Sequence, residues 1–203
     1  MSPTRSPAAT LSVPPKPTRA ELVRAAGKGI PDVIAPDLRV LFCGINPGLY
    51  SAATGYHFAR PGNRFWPALH AASFTPRRLQ PSEQRELLEA GFGITNLVSR
   101  ATASADELAP GELLAGRRRL ALKVRRYRPA AVAFLGVGAF GHAFGLKQVK
   151  IGLHPERFEG AAVWVLPNPS GLNANYQLPE LVKLFRRLWQ ATRTSTATRR
   201  ATR

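Results

Sequence analysis

Four short runs of almost unbroken apolar residues punctuate this chain: LRVLFCGI (38–45), FGITNLV (92–98), AAVAFLG (130–136) and AAVWVLP (161–167). Each is rich in β-branched or aromatic residues and is bounded by Gly or Pro, the pattern of strands buried on both faces. Helical spacing fills the intervals. PSEQRELLEAG (81–91) has Ser82 as its cap and stops at Gly91. GELLAGRRRLALKVRRYRP (111–129) sets Leu113, Leu120, Val124 and Tyr127 at helical intervals, and LPELVKLFRRLW (178–189) repeats Leu181, Leu184, Phe185 and Leu188. Strands alternating with helices predict a three-layer α/β/α sandwich around a short, mainly parallel sheet. In such sheets ligands bind at the C-terminal strand ends.

Two of those ends are unusual. The first strand runs into GINPGLYS and the fourth into LPNPSGLN, so an Asn-Pro pair follows a strand twice. One such pair is an ordinary turn opener. Two, the first followed by the aperiodic stretch TGYHFARPGNRFW (54–66), point to loops that face each other across a crevice.

Charge narrows the partner. With 29 Lys and Arg against 12 acids the formal charge is +17, which predicts a polyanionic partner, nucleic acid before an anionic membrane surface. Residues 1–20 and 190–203 carry seven of the cations and no acid, which leaves +10 on residues 21–189. The Pro, Ser and Thr-rich start and the polar basic end read as a disordered arm (1–28) and tail (191–203) around one domain (29–190). No apolar run reaches the ~18 residues that span a bilayer. The single Cys43 lies in a strand, so neither a disulfide framework nor a thiolate metal site is expected, and an intracellular protein is; a monomer is expected as well. The four His residues show no ligand spacing, so no metal and no cofactor are expected.

GINPG (44–48), TGYHFARPGNRFW (54–66), GITNLVSRAT (93–102) and LPNPSGLN (166–173), in that order, resemble the mismatch-specific uracil-DNA glycosylase and thymine-DNA glycosylase family of the uracil-DNA glycosylase superfamily, over roughly Leu38 to Leu188. The resemblance implies hydrolysis of the N-glycosidic bond of uracil, thymine or an exocyclic adduct opposite guanine in double-stranded DNA. It assigns Asn46 to positioning water, the backbone around Ile45, Gly48 and Phe58 to the base edge, and the Phe58 ring to stacking on the base. Tyr56 would crowd a 5-methyl group, Asn96 stands at a position where family members carry Lys or Asn, which leaves base selectivity open, and Asn168 stands where the most active class has a His. Ser170, Gly171, Leu172 and Asn173 form a wedge, with Leu172 plugging the gap left by the flipped base, while Asn63 and Arg64 are structural.

These residue types suit the reaction. Base release passes through a cationic sugar and an anionic leaving base, so it needs a placed water and donors around the base oxygen. Donors of that kind contribute about 3 kcal/mol of barrier lowering in other enzymes. Stacking of a base on an aromatic ring is worth ~1–3 kcal/mol. Asn46 orients water but accepts a proton poorly, and Asp106 in TASADEL is a candidate helper; its alternative is the cap of the following helix. Seven Lys or Arg between Arg117 and Arg128, with Arg60, are candidate phosphate contacts. Two other classes compete. GVGAFG (136–141) fits a dinucleotide-binding fingerprint, though it comes late and lacks the acid at the next strand end, and the charge alone also fits a basic binding module without catalysis.

Overall fold

Successive residues along each strand enter two different cores, and that alternation builds the layers. In the computed structural model, which describes residues 16–201 with side chains to 193, Val40 and Phe42 of β1 (Val40–Gly44) face one core, and Leu41 and Cys43 face the other. The same division runs through β2 (Phe92–Asn96), β3 (Ala131–Leu135) and β5 (Ala162–Leu166). Helices α3 (Phe65–Ala71) and α6 (Leu178–Ala201) cover the first face through Phe65, Leu69, Leu181 and Phe185. Helices α4 (Pro110–Tyr127) and α5 (Val137–Phe144) cover the second through Leu120, Val124, Phe140 and Ala143. The expected three-layer α/β/α sandwich is therefore present.

Strand order is β2-β1-β3-β5-β4, parallel except for the edge pair, where β4 (Gly152–Leu153) runs antiparallel to β5. In-register pairing of Gly44 with Asn96, Cys43 with Phe134 and Leu135 with Leu166 ends the four long strands at one level. Short helices α1 (Arg19–Arg24) and α2 (Leu49–Thr54) lie near that edge. Gly27 and Lys28 exchange main-chain hydrogen bonds with Ala101, tying α1 to the loop after β2.

Three local expectations change. The 81–91 segment is a 3₁₀ helix over Pro81–Leu87, and Glu83 accepts the Gln80 N–H at 2.7 Å, so Gln80 rather than Ser82 caps it. Within the 1–28 stretch read as an arm, Arg19–Arg24 is helical because Thr18 and Glu21 cap each other; residues 1–15 lie outside the described residues. Within the 191–203 tail, the α6 backbone runs to Ala201, and side chains beyond 193 lie outside the described residues. Among the described residues no helix is long and apolar enough to cross a membrane.

The first core is centred on Phe42, whose ring lies 5.4 Å from Phe65, 5.5 Å from Phe74 and 5.9 Å from Phe185. Phe65 in turn stacks at 4.1 Å on Phe58, which lines the cleft described below. Truncating Phe42 removes the common partner of all three rings. Phe42→Ala is expected to lower stability by about 3–5 kcal/mol, measured by denaturant unfolding with an unchanged m-value.

Candidate active site

The loops after β1, β2, β3 and β5 enclose a cleft of about 720 Å³. Its lining includes Ile45, Asn46, Gly48, Phe58, Arg60, Asn96, Asp106, Asn168, Ser170, Leu172 and Asn173. The structure thus brings together eleven of the thirteen residues proposed from sequence. Gly171 lies between two of them in the β5 loop. Tyr56 does not join them: it lines a separate depression with Pro31, Asp32 and Gln84, on the far side of the 55–57 turn. Its proposed contact with a 5-methyl group therefore finds no support in the geometry.

Asn46 follows directly from the end of β1. Its Nδ2 donates to the Arg100 carbonyl at 3.0 Å and to Thr102 Oγ1 at 2.7 Å, which uses both amide hydrogens. The Asn46 Oδ1 is left as the acceptor on the cleft. Thr102 spends its own hydroxyl hydrogen on the Ser104 carbonyl at 2.6 Å, so its oxygen can only accept from Asn46. Arg100 is clamped as well, for its guanidinium binds both carboxylate oxygens of Glu112 on α4 and the Glu107 carbonyl at 3.0 Å. The Arg100 hydrogen bonds, followed by the Ala109 N–H, hold the Glu112 carboxyl down at about 2. The clamp is charged on both sides throughout the neutral range.

Asp106 occupies a short 3₁₀ turn, Ala105–Glu107, that projects onto the cleft. Its N–H and its carboxylate both meet Ser104 Oγ, at 3.4 and 3.2 Å. It does not cap α4: that helix begins after Ala109, whose N–H is taken by Glu112 at 2.9 Å. The helix-cap alternative is corrected accordingly.

The base-sized part of the cleft is built on Gly44, Phe58 and Asn96. A Cβ on Gly44 would collide with Asn96 Oδ1 and press on the Phe58 ring at 3.3 Å, so only glycine admits both groups. Phe58 adopts φ 53°, a left-handed conformation costing roughly 1–3 kcal/mol for a non-glycine residue. Its neighbours hold it there. The His57 N–H donates to Gln84 Oε1 at 2.8 Å, the Ala59 N–H to Ser51 Oγ at 3.2 Å, and Trp66 Nε1 to the His57 carbonyl at 3.2 Å. His57 is buried, with Nε2 donating to the Pro31 carbonyl at 3.0 Å. Because a carbonyl only accepts, the proton sits on Nε2 and Nδ1 accepts from Asn96 Nδ2 at 3.4 Å. Sequence reasoning passed over His57, Arg100 and Thr102, whose partners lie up to 56 positions away or on another element.

Strand β5 delivers Asn168, whose Oδ1 accepts the Ser170 N–H at 3.0 Å, while Ser170 Oγ accepts the Leu172 N–H at 3.2 Å. Leu172 is 72% exposed at the tip. The GVGAFG segment opens α5 on the same cleft, and a Cβ on Gly136 would lie 2.8 Å from the Ile45 side chain. Gly136 thus gives room to the Asn46 loop. On α4, Lys123 is paired with Asp32, Arg125 with Glu159 and Arg128 with Asp37, and Arg117 lies over the Phe144 ring. The helix ends beside Asp37, whose N–H binds the Tyr127 carbonyl just before β1, so its last arginines sit at the edge opposite the cleft. Arg60 is the only Lys or Arg among the described residues lining the cleft.

The parallel α/β/α sheet thus gathers an anchored amide, an aromatic wall and an exposed loop at one edge, the arrangement of an enzyme cleft at strand ends. The family model of the Uracil DNA glycosylase superfamily matches residues 31–193, and the chain belongs to that superfamily. Members are DNA glycosylases, a class of hydrolase, and act on DNA. A solution NMR structure of a protein from Methanosarcina acetivorans, described provisionally as a uracil DNA glycosylase, matches with a TM-score of 0.53. Identity is 20% over 80% of this chain and 98% of that one, a likeness of fold.

Burial lowers the His57 pKa from its ordinary 6.5, against opposing pulls from the Pro31 carbonyl and Asp32. Below 6.5 the unfolded chain then binds more protons than the folded one, so stability is full above that pH and falls as pH drops toward the folded value. Thermal melts from pH 7.5 to 5 are expected to show this decline. In His57→Gln the decline is shallower by up to ~1.4 kcal/mol per pH unit; an identical slope in both proteins refutes the assignment.

Proposed function

We propose that this protein is a monofunctional DNA glycosylase that removes uracil mispaired with guanine, with thymine and exocyclic adducts as further substrates, after flipping the nucleotide out of the duplex. The observation that carries the reading is the anchored amide of Asn46. With both Nδ2 hydrogens committed, its Oδ1 is the group available to hold a water beneath C1′ of a deoxyribose in the cleft. Phe58, supported from behind by Phe65, supplies a flat wall for the base. The Asn96 amide beside it offers a donor and an acceptor to the base edge.

In the reaction so assigned, the C1′–N1 bond breaks and its electron pair leaves with the base as an anion. Backbone N–H groups near Ile45, Gly48 and Phe58, with the Asn96 amide, stabilise that anion. The water held by Asn46 adds to C1′ and loses its proton to Asp106 or to solvent. Asp106 is the only carboxylate among the described residues lining the cleft, and its charge also favours the cationic sugar. Leu172 enters the stack in place of the flipped nucleotide, and Asn168, an amide rather than an imidazole, leaves the departing base without a cationic donor.

A duplex oligonucleotide with one G·U pair is expected to become alkali-labile at the uracil after incubation with the pure protein. Asn46→Ala is expected to lower the single-turnover rate about a hundredfold. Asp106→Asn slows the reaction at neutral pH, and an unchanged rate would remove that residue from the mechanism. No cleavage of G·U duplex, single-stranded uracil or ethenocytosine would sink the enzymatic reading.

A further inference from the structure

The loop after β5 has no helix or strand between Pro167 and Leu178, yet it lies against a single cation. Arg64, at the start of α3, donates through one terminal nitrogen to the carbonyls of Ser170, Asn173 and Tyr176, each at 3.0 Å. Its other terminal nitrogen reaches the Gly171 carbonyl at 3.4 Å and Gln177 Oε1 at 2.9 Å. The Arg64 N–H adds a bond to the Pro169 carbonyl at 2.8 Å. Five loop residues and Pro169 thus converge on one side chain and its own backbone. The contact is also close in shape, because a Cβ on Gly171 would sit 2.7 Å from the Gly62 carbonyl.

We infer that Arg64 is the positioning residue of the wedge: it draws the loop carbonyls inward onto its guanidinium and so holds Leu172 outward in a conformation ready to enter the duplex. The inference rests on the reading of Leu172 as the wedge given above. An unrestrained loop would have to be ordered at the moment of insertion, at roughly 1–2 kcal/mol per residue fixed. The preformed loop avoids that cost during flipping. Arginine suits the task because five donors in a planar fork meet several acceptors at once, whereas a lysine ammonium has three donors at one point. With both terminal nitrogens turned to the loop, the Arg64 guanidinium faces inward, and Arg60, exposed four positions earlier, is the better placed phosphate ligand.

A wedge matters only where a stack must be breached, so the readout is the ratio of rates on duplex and single-stranded substrates. Single-turnover cleavage of a G·U duplex and of the same uracil strand alone is to be measured for the wild type, Arg64→Gln, Arg64→Lys and Leu172→Ala. Both Arg64 variants are expected to lower the duplex-to-single-strand ratio about tenfold or more. Adding Leu172→Ala to Arg64→Lys is expected to lower it little further than Leu172→Ala alone. Equal losses on both substrates, or additive losses in the double variant, overturn the inference. Should Arg64→Gln fail to fold, Arg64→Lys carries the comparison. Amide exchange across residues 168–177 is expected to quicken in the folded variants, and unchanged exchange also overturns it. A wild type that cleaves neither substrate refutes the glycosylase reading instead, and the exchange measurement then still decides whether Arg64 orders the loop.

Discussion

The site depends on one geometric constraint, the parallel in-register pairing that ends β1, β2, β3 and β5 at the same edge of the sheet. Parallel strands return their chain through helices on the sheet faces, so the loops that β1, β2, β3 and β5 contribute to this edge are all strand exits. Asn46, Asn96, Gly136 and Asn168 leave four different strands within a few residues of their ends. A slip of one residue in β1 would exchange its two faces, sending Phe42 away from Phe65 and Phe185 and turning the Asn46 loop from the cleft. Core packing and site assembly are therefore enforced by the same register.

Within that frame, orientation comes from satisfying each amide on its far side. Asn46 spends its hydrogens on Arg100 and Thr102, Asn96 gives one to His57, and Asn168 turns its oxygen to the Ser170 N–H. A single hydrogen bond contributes only about 1 kcal/mol net, and the larger consequence is that an otherwise two-fold amide keeps one orientation. The clamp between Arg100 and Glu112 extends the same device to the main chain, since the carbonyl that orients Asn46 belongs to the residue whose guanidinium is held. Phe58 is handled differently. Its left-handed backbone is stabilised by side chains from α2, α3 and the 3₁₀ helix, and its ring by Phe65.

The four long strands, helices α4 and α6 and the grouping of the Asn-Pro loops were legible because apolar periodicity and turn chemistry act over short stretches. Residue words carried the rest of the cleft, from Asn46 to the 170–173 tip. Short-range signals also misled. Tyr56 sits two residues from Phe58, yet the reversal at Gly55 and the positive φ of Phe58 send the two side chains into different depressions. Ser82 resembles a cap, but Pro81 opens the turn one residue earlier and Glu83 completes it from Gln80. His57, Arg100 and Thr102 carried no visible mark, because a supporting residue is defined by partners that only folding brings near.

Charge, the most conspicuous property of the sequence, turns out to be distributed away from the chemistry. Three cations of α4 are paired with carboxylates, Arg64 faces loop carbonyls, and the cleft lining described here holds one Arg and one Asp. The formal +17 of the sequence acts as a long-range field that raises the encounter rate with a polyanion and weakens with salt. It carries no information about which base is bound. On the proposed reading, discrimination would be left to neutral groups, the amides and the aromatic wall, whose contacts are short-ranged and depend on fixed geometry. On the same reading, a cationic surface would also hold DNA without a unique register while successive sites are tested. In the function proposed above, selectivity would reside in base insertion, and the anchored amides and the held loop are the groups placed to act on that step.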